Sequence, residues 1–187
     1  MATKDAGSGA TERDRLARTA DGLTFARALI AVLLLPVLGT RRVVLGALLV
    51  GTAWISDFLD GRAARAAGTP TRLAGWDLVA DTAVGAALVL GFTLSGWVPP
   101  AVGVGILALL GLGFVLTRNE ALSMTLQAVG YALLLWRTWS DGHRIAFGWL
   151  VTVILVIAVV NRRELFERSL PVFFGGLAQV VRRHPSS

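Results

Sequence analysis

Four aspartates bracket the junction between two apolar runs. In "WISDFLDGRAARAAG" (54–68), Asp57 and Asp60 appear as a strongly apolar run ends. Seventeen residues past Asp60, "WDLVAD" (76–81) places Asp77 and Asp81 where another apolar run begins. On helices, acids three or four positions apart share a face. If the two runs form an antiparallel helical pair, all four acids point into one space. Four ionised carboxylates at close range repel, and dehydration makes this worse, so the cluster needs protons or cations. Two divalent ions would cancel the four charges. With no Cys and only two His in the chain, a thiolate zinc site, a His-rich site and a Cys nucleophile are excluded. Oxygen-only ligation favours Mg2+ or Mn2+. Two such ions close together suit phosphoryl chemistry: they clamp a diphosphate, steady a leaving group and help activate a hydroxyl. Gly61 leaves room where a phosphate or nucleotide approaches, Ala64 keeps the same region open, and Arg65 offers a bidentate phosphate donor. Acids at helix ends also serve as solvated caps, and Asp77 and Asp81 sit where a helix dipole favours them. Two pairs at helical spacing, followed by Gly and Arg, exceed what capping requires, and ionisable groups at membrane depth point to function.

The elements that must position these acids are greasy. The chain has 187 residues, 55% of them hydrophobic and only 16% charged, against roughly 25% charged in a soluble domain. The expectation is an all-α integral membrane protein with six transmembrane helices and a short N-terminal interfacial segment. A span needs about 20 mostly apolar residues, and six candidates fall near 23–39, 43–62, 77–96, 98–117, 121–137 and 144–161. The opening "MATKDAGSGATERDRLARTADG" is polar and lacks the apolar core of a cleaved signal peptide. It reads as disordered through about Gly9, with residues 11–18 as a short surface helix. Three regions follow: residues 1–19 flexible or interfacial, 20–165 the six-helix membrane domain, and 166–187 an interfacial tail ending near Arg182 and Arg183. Small residues inside the spans allow close helix packing.

The net charge is +6. The basic residues lie between apolar runs, which favours anionic head groups over nucleic acid. With the N-terminus inside, cytoplasmic segments hold thirteen Lys and Arg, and the outer loops hold only Arg41, Arg42, Arg137 and Arg144; Arg27, within the first span, is not counted. This asymmetry predicts N-inside and C-inside in the inner (plasma) membrane. Both aspartate pairs then face the cytoplasmic side.

Residues 57–65, "DFLDGRAAR", resemble the first half of the CDP-alcohol phosphatidyltransferase signature, D-x-x-D-G-x-x-A-R, at every fixed position. Asp77 and Asp81 are similar to the two acids of its second half, G-x-x-x-D-x-x-x-D. "LTFARALIAVLLLP" (23–36) is similar to the family's L-T-x-x-R opening, and six helices fit its fold. The resemblance covers most of residues 20–165. The chain departs in one place. Eleven residues separate Arg65 from Asp77, one or two fewer than the family's usual link. The motif glycine position is Leu73, with Gly75 nearby.

The resemblance implies transfer of a substituted phosphoryl group from a CDP-linked alcohol, usually CDP-diacylglycerol, to an acceptor hydroxyl, with CMP leaving. It implies metal ligation by Asp57, Asp60 and Asp77, with Asp81 completing the site and serving as base. It implies CDP contacts from Gly61, Ala64 and Arg65, and a homodimer. "VLTRNEALSM" (115–124) loosely resembles the R-x-E or R-E element of members with phosphorylated acceptors, so Arg118 is the candidate for an acceptor phosphate. A boundary arginine obeying topology reads the same way. Inositol phosphate and glycerol phosphate both remain open. Competing readings are a degenerate, non-catalytic member, motivated by the short link, and an ion or proton transporter using the acids as a relay. A transporter expects acids at mid-membrane rather than at one edge. An intramembrane prenyltransferase also uses Asp-rich sites, but lacks the D-G-x-x-A-R order.

Overall fold

The computed structural model describes residues 4–68, 73 and 75–161. Six helices follow in order: α1 Lys4–Gly39, α2 Val43–Ala67, α3 Asp77–Leu94, α4 Pro100–Thr117, α5 Glu120–Ser140 and α6 Arg144–Val160. No strand occurs among the described residues. The tail at 166–187, with Arg182 and Arg183, lies outside them, as does most of the link from 69 to 74.

α1 corrects one expectation. The segment read as disordered through Gly9, with a separate surface helix at 11–18, is helical from Lys4 and continuous with the first span. The run 10–21 is rich in Ala and Arg and contains no Pro, and Asp14 and Arg18 stand at a favourable i,i+4 spacing. α2 runs past its expected end to Ala67 and stops at Gly68, which adopts φ 62° and caps the helix with an N–H to the Ala64 carbonyl. Only a residue at ease in the left-handed region ends a helix this way without strain. The extension carries Ala64 and Arg65 as helical continuations of Asp57, Asp60 and Gly61. α4 begins with Pro100 after Pro99, and it contains a π-helical segment, Leu107–Leu112.

Among the described residues, four helices are long and apolar enough to cross a membrane: α1 (over Arg13–Gly39), α2, α3 and α4. α6 is apolar but has 17 residues. α5 is long enough at 21 residues, yet Glu120, Ser123, Thr125, Gln127, Arg137 and Thr138 dilute its apolar character. Ser123 and Thr138 are buried, so these polar groups face neighbouring helices rather than lipid.

α1 packs on α2 and α3, α3 on α5, and α2 on α6. Leu34 and Leu38 of α1, Val50 of α2, Leu88 of α3, Leu134 of α5 and Leu150 of α6 meet in the core, each fully buried. α3 and α5 cross backbone to backbone. A Cβ at Gly85 would lie 2.9 Å from the Gln127 Cα, and one at Gly130 would lie 3.1 Å from the Gly85 carbonyl oxygen. The outer surface is apolar. Phe25, Val32, Leu109, Leu116, Ile145 and Val159 are all exposed, which suits contact with lipid chains.

The two ends of the bundle differ. At one end, Arg41 donates to the Ser95 carbonyl, and Arg137 lies over the Trp97 ring while pairing with Asp141. Trp136 and Trp139 are exposed there, as expected of a membrane–water boundary. The four aspartates lie at the opposite end.

Candidate active site

The last turns of α2 and the first of α3 bring all four aspartates around one side chain from α1. Arg27 is 1% exposed. Its Nη1 lies 2.9 Å from Asp57 Oδ1, 2.8 Å from Asp77 Oδ1 and 2.5 Å from Asp81 Oδ1, and its Nη2 lies 3.0 Å from Asp60 Oδ2. The buried guanidinium is tolerable because carboxylates pair with it on both Nη atoms; a lone buried charge would be costly. One cation still leaves the four acids with an excess of negative charge. One turn before Arg27, Thr24 shares its face and donates from Oγ1 to Asp60 Oδ2 at 2.9 Å.

The four acids differ in setting. Asp60 is buried, and its Oδ2 is held by both Thr24 and Arg27. Asp81 is partly covered, while Asp57 and Asp77 are about half exposed. Asp57, Asp77 and Asp81 each offer a carboxylate oxygen, and the three lie within 4.8 Å of one another. Hard oxygens gathered at this range fit a Mg2+- or Ca2+-class cation. Asp60, expected beside them as a ligand, stands outside that group and is turned to α1.

Asp57 and Asp77 open onto a cleft of about 660 Å³. Gly61 and Arg65 share its polar wall; Trp54, Phe58 and Tyr131, with Ile154 and Ile157 of α6, make it apolar elsewhere. A Cβ on Gly61 would touch Arg65 Nη1 at 3.4 Å, so the bare backbone there gives the guanidinium room. Ala64 is half-buried one turn on. Tyr131 meets Trp54 edge-on, with centroids 4.8 Å apart. Behind it, Gln127 donates to Ser123, and Ser123 pairs with Thr82, next to Asp81 in α3. Buried polar chains of this kind fix the elements that carry them.

The link between α2 and α3 is tied to α1. Asp21 Oδ1 accepts the Leu73 backbone N–H at 2.9 Å. Arg118 lies elsewhere at this end of the bundle. It ends α4 in a left-handed conformation, φ 53°, with its guanidinium over the Phe114 ring, and it is not among the residues lining the cleft.

Arg27, Thr24 and Asp21 were not assigned roles from sequence. Arg27 carried a signal: an arginine inside an apolar span needs acidic partners, and four acids stood at matching depth. Thr24 precedes it by three residues, on the same face. Nothing in the sequence indicated the bond from Asp21 to Leu73, which joins two distant segments.

The family model for CDP-alcohol phosphatidyltransferase matches residues 17–166. No curated protein and no solved structure matches the chain.

Proposed function

The chain belongs to the CDP-alcohol phosphatidyltransferase family, and from that premise we propose that it transfers a phosphatidyl group from CDP-diacylglycerol to the hydroxyl of a small polar acceptor. The family is one of membrane-bound phosphotransferases. The observation that carries the reading is the convergence of Asp57, Asp77 and Asp81 on one point at the polar edge of an otherwise apolar cleft. Such a cleft accommodates a donor with lipid chains at one end and a nucleotide at the other.

In this reading the acceptor oxygen attacks the phosphorus that bears diacylglycerol. The bond from that phosphorus to the bridging oxygen breaks, and CMP leaves with the electron pair. Asp81 takes the hydroxyl proton. Its place within the triad, partly shielded from solvent, suits a base acting where acceptor and donor meet. Arg65 neutralises diphosphate charge from the cleft wall, while Gly61 and Ala64 let the nucleotide approach the α2 backbone. Mg2+ or Mn2+, held by Asp57, Asp77 and Asp81 with Asp60 behind them, would supply charge neutralisation for the diphosphate and the departing CMP. Arg27 and Thr24 keep the carboxylates assembled.

The six helices are read as six spans, with the site and both termini on the cytoplasmic side of the inner membrane. The excess of Lys and Arg at that end supports this orientation. The acceptor is read as a phosphorylated polyol, such as glycerol 3-phosphate or an inositol phosphate, with Arg118 as the candidate contact for its phosphate. A homodimer follows from the family resemblance alone. The short link with Leu73 motivates a non-catalytic alternative, but the gathered triad favours catalysis.

The test is CMP release by purified protein given CDP-diacylglycerol and Mg2+ or Mn2+. Glycerol 3-phosphate, inositol 1-phosphate, inositol and serine are offered in turn. Release with one acceptor supports the reading and names the substrate. Folded protein that neither releases CMP nor binds CDP would sink it and leave the non-catalytic alternative.

A further inference from the structure

Among the described residues, Arg27 is the buried cation of the bundle, and its guanidinium is used unevenly. Nη2 has a settled place: it donates to Asp60 Oδ2, an oxygen that Thr24 also holds. Nη1 is crowded. It carries two hydrogens, yet three carboxylate oxygens, from Asp57, Asp77 and Asp81, lie within 2.9 Å of it. Nε is buried and has no acceptor among the described residues. The residues that crowd Nη1 are the same three that form the cation-ligand group.

We propose that Arg27 is a built-in counter-ion of the Asp57–Asp77–Asp81 triad, which a divalent cation displaces. The inference rests on the proposed function only in taking this triad as the divalent-cation site. A divalent ion brings twice the charge and sits closer to its oxygens, at about 2.0–2.6 Å. It cannot share the centre of three carboxylates with a guanidinium nitrogen. Because Nη2 is anchored on Asp60 and Thr24, the guanidinium can turn about that end and withdraw Nη1 alone. The idle Nε–H is then free to find an acceptor it now lacks. Arg27 thereby keeps α1, α2 and α3 together against repulsion between the acids, and it weakens divalent binding by competing for the same oxygens.

The sign of one measurement separates this from a purely scaffolding arginine. Mn2+ binding is followed by the electron paramagnetic resonance of free Mn2+, in detergent-purified protein without donor, for the wild type, Arg27→Met and Arg27→Lys. Removing a competing charge at contact distance should tighten Mn2+ binding by at least about tenfold in Arg27→Met. Arg27→Lys keeps the charge and should stay close to the wild type. Thermal unfolding gives the second readout: Mn2+ should raise the melting temperature of Arg27→Met more than that of the wild type. An Arg27→Met protein that folds only with Mn2+ also supports the proposal, because the ion then replaces the lost charge. Unchanged or weaker Mn2+ binding in folded Arg27→Met overturns it, as does a variant that stays unfolded in Mn2+. If those results come with a wild type that binds Mn2+ and releases CMP, the proposed function survives without this inference. Absence of Mn2+ binding in all three proteins overturns both this inference and the metal site.

Discussion

The carboxylate of Asp21, in α1, accepts the backbone N–H of Leu73 at 2.9 Å across the link between α2 and α3. Leu73 stands where the family motif has glycine, in a link shorter than usual. α3 must still begin at Asp77 with Asp77 and Asp81 facing α1, and the bond to Asp21 fixes a point four residues upstream. Asp21→Ala should therefore lower kcat/KM about tenfold, the scale of one hydrogen bond to a charged group. Asp21→Asn, which keeps an acceptor oxygen, should stay near the wild type. Equal activity in the alanine variant would show that the link holds its register without this tether.

Asp81 is read as the base, and Asp81→Asn tests it. The substitution keeps size and removes proton affinity. Turnover should fall by about 10²–10⁴-fold, while binding of the CDP-lipid remains measurable. Chemistry is followed as CMP release and binding as donor-dependent thermal stabilisation. Full activity in the variant would remove Asp81 from this role.

Arg65 lines the cleft beside Gly61, with its guanidinium over bare backbone. Arg65→Ala should raise the donor KM about tenfold or more, since bonds from a guanidinium to phosphate are among the stronger protein contacts. The acceptor KM should move little. Initial-rate measurements with each substrate varied in turn decide the matter, and an unchanged donor KM would count against the assignment.

The α2–α3 half of the site was legible in sequence because it obeys local rules. Asp57, Asp60, Asp77 and Asp81 are placed by helical spacing alone, and Gly61 and Arg65 follow Asp60 within about one turn and a half. The helix starts at Val43 and Arg144 were legible too, because turn residues and apolar runs mark them. What escaped depends on contacts between distant segments. Arg27 reaches acids as far as 54 positions away; its place in an apolar span signals that it needs acidic partners, but not which ones. Asp21 reaches across 52 positions to Leu73, and no local pattern encodes that bond. The division of labour among the acids escaped for the same reason: Asp60 turns to Thr24 and Arg27, while the other three converge. The expected surface helix at 11–18 and the first span are one helix, α1, which also takes in residues from Lys4 that were expected to be disordered. The join between them, at 19–22, lies in a run whose helix propensity and charge spacing favour helix regardless of polarity.

The α3–α5 crossing sets how firmly Asp77 and Asp81 are held. Gly85 lies one turn beyond Asp81, and a Cβ there would fall 2.9 Å from the Gln127 Cα and 3.0 Å from its amide nitrogen. Backbone cannot step aside as a flexible side chain can. Gly85→Ala must push the two helices apart, loosening the Thr82–Ser123 bond nearby. The gain in helix propensity from Gly to Ala, about 1 kcal/mol, works in the opposite direction. Overpacking typically costs 1–3 kcal/mol, and here the obstacle is main chain, so the clash should win and stability should fall by about 1–2 kcal/mol. Gly105→Ala makes the control, because a Cβ there meets nothing within 4 Å and only the propensity gain remains. Thermal unfolding in detergent should show Gly85→Ala below the wild type and Gly105→Ala at or above it. If Gly85→Ala matched the control, α3 and α5 would have room to separate, and close packing there would not be what holds the acids in place.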